Sequence, residues 1–155
     1  RWIWTKNKKT NNYKMKKILI INSNYYSAIS KNLLNNAIKK LKQNNFKINT
    51  IDVPGVFEIP IAIRKNIKKF DGFVALGCVI KGQTPHFNLI CSSTFDAILK
   101  LSINFNKPIG NGIITALNMN QAIRRSIKTN SKNPNKGSEA ANAVNIILKN
   151  EPKKI

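Results

Sequence analysis

The chain has 155 residues, 42% of them hydrophobic, and sets 27 Lys and Arg against 6 Asp and Glu for a formal charge of +21. That length holds one domain with a full core and leaves no room for a second. Two cysteines without CxxC or metal-ligand spacing argue against a disulfide-built or metal-built fold and fit reduced core thiols of a cytoplasmic protein.

A field of +21 attracts polyanions whatever the fold. The basic residues are overwhelmingly Lys, with Arg only at Arg1, Arg64, Arg124 and Arg125. Lys, Asn and Ile dominate the chain, and all three have A/T-rich codons. The charge therefore reads as drift of solvated positions, with neither nucleic acid nor membrane expected as a partner. Arginine's planar fork suits phosphate better than an ammonium does, so Arg124-Arg125 is the more informative pair.

Residues 1–14 are mostly Lys and Asn with three aromatics, and contain neither a signal-peptide core nor a transmembrane span. They read as a flexible N-terminal extension, an upstream piece, or an arm that docks on a neighbour. A single domain is expected over residues 15–155. Lys16 to Asn22 is a short apolar run with a basic lead, the expected first strand of a parallel sheet. Ser23 to Ser27 breaks it, and Ile29, Leu33, Leu34, Ala37, Ile38 and Leu41 keep helical spacing, predicting a helix from about Tyr26 to Gln43. Tyr25 then stands at the strand's C-terminal edge, where an aromatic either stacks on a planar ligand or lids the core.

Phe46 to Val53 reads as the second strand, ended by Pro54-Gly55. Val56-Phe57-Glu58-Ile59-Pro60 places a carboxylate inside an apolar run. A Glu in a helix's first turn is favoured by the dipole alone, but here it is also a candidate acceptor at the sheet edge. The helix that follows is predicted to reach about Lys69, before the turn at Asp71-Gly72.

Phe73 to Ile80 is a buried central strand by length and β-branched content. It empties through Lys81-Gly82-Gln83 into Thr84-Pro85, a hydroxyl that can cap and a proline that lacks the donor a helix start does not need. A helix opening at Pro85 would present free amides and a positive dipole end, a seat sized for phosphate. Such junctions occur throughout α/β proteins and most bind nothing. The chain's single histidine, His86, sits in the first turn, at the strand edge where open α/β sheets bind ligands. A long amphipathic helix should run to about Phe105 and a fourth strand from Pro108 to Ala116. Asn118 to Gln121 resembles a capping box opening a helix near Met119, which carries Arg125. A polar stretch from Lys128 to Asn135 leads into a last helix at Lys136-Gly137. The order β-α-β-α-β-α-β-α-α predicts a flavodoxin-like three-layer α/β/α sandwich around a four-stranded parallel sheet.

From Lys16 to the last helix the sequence resembles the 6,7-dimethyl-8-ribityllumazine synthases of riboflavin biosynthesis. The motifs that carry the resemblance are Tyr25 after the first strand, VPGVFEIP at Val53 to Pro60, LGCVIKGQTPHF at Leu76 to Phe87, and QAIRR followed by NKG at Gln121 to Gly137. The resemblance implies condensation of 5-amino-6-(D-ribitylamino)uracil with 3,4-dihydroxy-2-butanone 4-phosphate, with release of phosphate and no metal or other cofactor. It implies that phosphate sits on the Gln83 and Thr84 backbone with Arg125 neutralising it, and that His86 is the general acid/base. The dipole would disfavour charged His86 and a bound phosphate would favour it. By the same resemblance Tyr25, where relatives usually carry Phe, stacks on the pyrimidine. Val56, Phe57 and Glu58 hold the ring and a ribityl hydroxyl, the Val79-Ile80 backbone reads the ring edge, and Lys136 completes the site. Family sites lie between subunits, so Arg125 comes from the same or the adjacent chain.

Two departures stand out. Asn111 occupies the place of a pocket phenylalanine in many relatives, which would loosen packing on the pyrimidine. The Arg125 to Lys136 spacing exceeds the compact loop of shell-forming relatives, so a kink between the last helices is expected to obstruct three-fold packing and to leave a pentamer or paired pentamers (decamer). The rival readings are a non-catalytic lumazine- or flavin-binding relative and a basic RNA-binding protein of the same fold, though the aromatic-basic interleaving of single-strand binders is missing.

Overall fold

The computed structural model describes residues 14–127 and 134–150. Strand β1 (Lys17–Ser23), helix α1 (Ser27–Leu41) and strand β2 (Lys47–Val53) come first, then a 3-10 turn (Val56–Glu58) running into α2 (Ile59–Asn66). Strand β3 (Gly72–Ile80), helix α3 (His86–Phe105), strand β4 (Ile109–Ala116) and helices α4 (Met119–Ser126) and α5 (Lys136–Lys149) complete the order. This is the predicted succession. All but the last of the expected N-terminal extension, and residues 128–133 of the polar stretch expected to kink between the last two helices, lie outside the described residues.

All four strands are parallel, in the order β2-β1-β3-β4. The chain first steps outward from β1 to β2, then returns to build β3 and β4 on the other side. Strand order thus reverses between β1 and β3, and the crevice at their C-terminal ends is where such sheets take ligands.

Side-chain alternation divides the core into two layers. Ile18, Ile20, Val74 and Leu76 face α1 and α5, packing on Leu33, Ala37, Ala140 and Val144. Leu19, Ile21, Phe73 and Ala75 face the other way, onto Val56, Ile59, Ile63 and Ile98. Helices cover both faces, giving the α/β sandwich expected. Strand β3 is buried along its first seven residues, which is why it reads as an unbroken apolar run. On β4, Gly110 leaves room for the Ala140 backbone, so α5 lies directly on the strand.

Element ends differ from expectation by local bonding. α1 opens at Ser27 because Tyr26, in extended conformation, is its N-cap. α2 stops at Asn66 as the chain tightens, with Ile67 N donating to Arg64 O at 3.4 Å. The capping box at α4 is offset by one residue. Gln121 N donates to Asn118 Oδ1 at 3.0 Å as predicted, but Gln121 Oε1 accepts from Leu117 N at 2.9 Å. Cys78 is buried, Cys91 is half-buried and both are free. Among the described residues no helix is long and apolar enough to cross a membrane.

Candidate active site

The crevice beyond β1 and β3 is a cleft of about 410 Å³. The turn after β1 contributes Tyr25 and Tyr26, and the 3-10 turn after β2 contributes Gly55, Val56, Phe57 and Glu58. The end of β3 supplies Cys78, Val79 and Ile80, and the first turns of α3 supply His86 and Ile90. Four separate chain segments converge there because all four leave the sheet at the same edge.

The 3-10 turn is held from below. Val56 is 6% exposed and packs over Gly77 of β3, while Phe57 beside it is 59% exposed and projects outward. A buried anchor followed by an exposed ring fixes the direction in which Phe57 and Glu58 leave the sheet. Glu58 curls back over Gly55, its Oε2 lying 2.9 Å from where a Cβ on that glycine would stand. Among the described residues it is the one acidic side chain lining the cleft.

Helix α3 begins one residue later than the sequence suggests. Pro85, with φ −68° and ψ 2°, is the N-cap, and no side chain caps it. Its carbonyl accepts from Leu89 N at 3.3 Å, so the ring that fixes φ makes the bend and the Thr84 hydroxyl is not used. His86 is thereby the first helical residue, exposed at the cleft. Lys81 N donates to Ala116 O at 2.9 Å, the last tie of this segment to the sheet. Among the described residues the amides of Gly82, Gln83 and Thr84 donate to no backbone acceptor, and all three residues are exposed.

Burial sets the charge state of the inner wall. It pushes the Cys78 thiol up to about 11, with Cys91 adding to the effect, and raises Cys91 as well. The Tyr26 phenol is also raised, first by burial and then by Tyr25 and Cys78. All three groups are protonated at neutral pH. Among the described residues no cluster of three or more His, Cys, Asp or Glu side chains is placed to hold a metal ion.

Of the residues singled out from sequence, Tyr25, Val56, Phe57, Glu58, Val79, Ile80 and His86 meet in this cleft. Gln83 and Thr84 lie just before His86, outside the lining. Arg125 is exposed on α4, its guanidinium 3.4 Å from Gln121 O. Lys136 opens α5 and pairs with Glu139 at 3.1 Å. Asn111 is on β4, its Oδ1 accepting from Ile113 N at 3.1 Å. None of these last three lines the cleft within one chain. Tyr26, Gly55, Cys78 and Ile90 line it without having been singled out. Ile90 was legible, since four residues after His86 it shares a helix face.

The family model described as 6,7-dimethyl-8-ribityllumazine synthase matches residues 15–150. The 6,7-dimethyl-8-ribityllumazine synthase of Bartonella tribocorum is 41% identical over 134 residues, covering 84% of this chain and 87% of its own. That of Buchnera aphidicola subsp. Baizongia pistaciae is 41% identical over 149 residues, covering 88% and 92%. That of Methylobacterium radiotolerans is 36% identical over 134 residues, covering 85% and 80%. With its cleft at the β1/β3 edge and its sequence matched from Met15 to Asn150, the chain belongs to the 6,7-dimethyl-8-ribityllumazine synthase family.

Proposed function

We propose that the cleft condenses 5-amino-6-(D-ribitylamino)uracil with 3,4-dihydroxy-2-butanone 4-phosphate to give 6,7-dimethyl-8-ribityllumazine, a step of riboflavin biosynthesis. The uracil's primary amine attacks the ketone and loses water, phosphate leaves by elimination, and the ribitylamino nitrogen closes the ring with loss of a second water. No electrons are gained or lost overall, so the balance calls for no redox cofactor. Positioning and proton transfer supply the rate.

The observation that carries this reading is the placing of His86 between a cleft walled by Tyr25, Phe57 and Glu58 and the exposed, unpaired amides of Gly82 to Thr84. The planar pyrimidine takes the aromatic wall, with Tyr25 stacking and the Val79-Ile80 backbone reading its edge. Glu58 accepts from a ribityl hydroxyl. The phosphate takes the Gln83 and Thr84 amides, so that the reacting carbon falls beside the imidazole, which acts as general acid/base. Arg125 supplies the counter-charge, and Arg125, Lys136 and Asn111 reach a site from the same or a neighbouring chain.

Assembly into a homo-oligomer follows from the same arrangement. Ile61, Leu89, Leu99 and Ile103 are exposed large apolar residues on α2 and α3, surface a neighbour would cover. The working unit is a pentamer or paired pentamers in the cytoplasm, built from one domain that starts near Met15. Native mass measurement should give such a particle, and a capsid-sized one would sink this assembly. For the reaction, the two substrates are mixed with the protein and lumazine fluorescence and free phosphate are followed across pH. One phosphate per lumazine is the expected result, and no lumazine at any pH overturns it.

A further inference from the structure

Two tyrosines line the cleft. Tyr25 is 71% exposed and stands at the rim, whereas Tyr26 is half-buried and packs against the core beneath α1. Their rings meet edge to face, with centroids 4.9 Å apart and planes at 71°. Such a pair fixes the outer ring through the inner one.

The turn that carries both is tied at several points. Ser30 Oγ donates to Asn22 Oδ1 at 2.9 Å across the turn, and Asn22 Nδ2 donates to Asp52 Oδ1 at 3.0 Å. Ser30 N donates to Tyr26 O at 2.9 Å, and Asn24 N to Val53 O at 3.0 Å. Asn22 and Ser30 are both buried, so this bond is shielded from water. The backbone of Tyr26 is therefore placed before any ligand arrives. Its hydroxyl makes no hydrogen bond among the described residues, and burial keeps it protonated.

We infer that Tyr26 is a second binding residue for the ribitylaminouracil: its ring braces Tyr25 and its hydroxyl donates a hydrogen bond to an oxygen of that substrate. The inference rests on the reaction proposed above and extends it to a residue that sits beside Cys78 on the inner wall. A preset donor costs little ordering on binding, which is the gain of anchoring the turn through Asn22 and Ser30.

The test separates ring from hydroxyl. Tyr26→Phe keeps the edge-to-face contact and removes only the donor. Calorimetric titration with the ribitylaminouracil should show Kd weakened about five- to tenfold, the usual worth of one neutral hydrogen bond. KM for that substrate should rise in step, with kcat changing far less and KM for the phosphate-bearing substrate unmoved. Tyr26→Ala should weaken binding further by freeing Tyr25. Equal Kd for Tyr26→Phe and the unmodified protein overturns the inference, as does a similar loss for both substrates. Because Kd needs no turnover, tight binding without lumazine formation would count against the reaction while still deciding the role of Tyr26.

Discussion

Val56 occupies the space that a side chain on Gly77 would need: its Cγ1 lies 2.6 Å from where a Cβ on that glycine would stand. Ser23 Cβ closes the same space at 3.0 Å. The glycine in β3 is thus what allows the turn after β2 to sit down on the sheet. Gly77→Ala should force Val56 upward, cost about 1–3 kcal/mol in stability as overpacking does, and weaken substrate binding because Phe57 and Glu58 ride on Val56. Chemical denaturation and steady-state kinetics check both parts. Adding Val56→Ala should recover part of the stability, and no recovery would mean that the clash is not with Val56.

Gly55 separates binding from folding more cleanly. Its φ of −148° is open to any residue, and among the described residues the only atom in the way of a Cβ is Glu58 Oε2. Gly55→Ala should leave the melting temperature nearly unchanged while displacing the carboxylate, so that KM for the ribitylaminouracil rises as it does in Glu58→Gln. A melting temperature that falls as far as that of Gly77→Ala would show the turn itself to be damaged.

Replacing His86 should touch chemistry and little else. The residue is exposed at the first position of α3. His86→Ala should slow lumazine formation by about a hundredfold or more, the range lost with a general acid/base. Its circular dichroism and unfolding curve should match the unmodified protein. Unchanged turnover would remove the imidazole from that role.

Cys78 makes a prediction about alkaline pH. In the unfolded chain the thiol ionises near 9, whereas in the fold burial holds it at about 11. The native protein keeps a proton that the unfolded chain releases, so this contribution is complete below about pH 9 and is lost as pH rises toward 11. The difference in stability between the unmodified protein and Cys78→Ala should therefore shrink over that window. Alkylation of Cys78 at pH 8 should also be slow, because the thiolate is the reactive species. Rapid labelling of the folded protein there would contradict the burial argument.

The strands were legible because a parallel sheet covered on both faces needs apolar runs, and Ile18 to Ile21 and Phe73 to Leu76 bury their side chains in its two core layers. The lining of the cleft was legible where one segment held several of its residues, as in Val56-Phe57-Glu58 and in Val79-Ile80 with His86. It was not legible at Tyr26, whose neighbour Tyr25 carries the same side chain, since only the fold decides which ring is inside. The start of α3 was misjudged by one residue because Thr84 and Pro85 both suit a cap, and the choice was made by the carbonyl of Pro85 bonding Leu89. Arg125, Lys136 and Asn111 do not line the cleft, and no local pattern in the sequence encodes that separation.

Helix α5 binds pieces of the chain that are far apart in sequence. Its Leu148 carbonyl accepts from Lys16 Nζ at 3.0 Å, Asn145 Nδ2 reaches Lys40 O at 3.5 Å, and Ala140 lies on Gly110. On the ribosome, Ile20, Leu33 and Val74 must wait with one side bare until this helix has emerged. A nascent chain stalled before this helix would therefore display a greasy face to chaperones and to its own kind. Termination before Lys136, which removes this helix, should yield aggregates in place of a weakened enzyme.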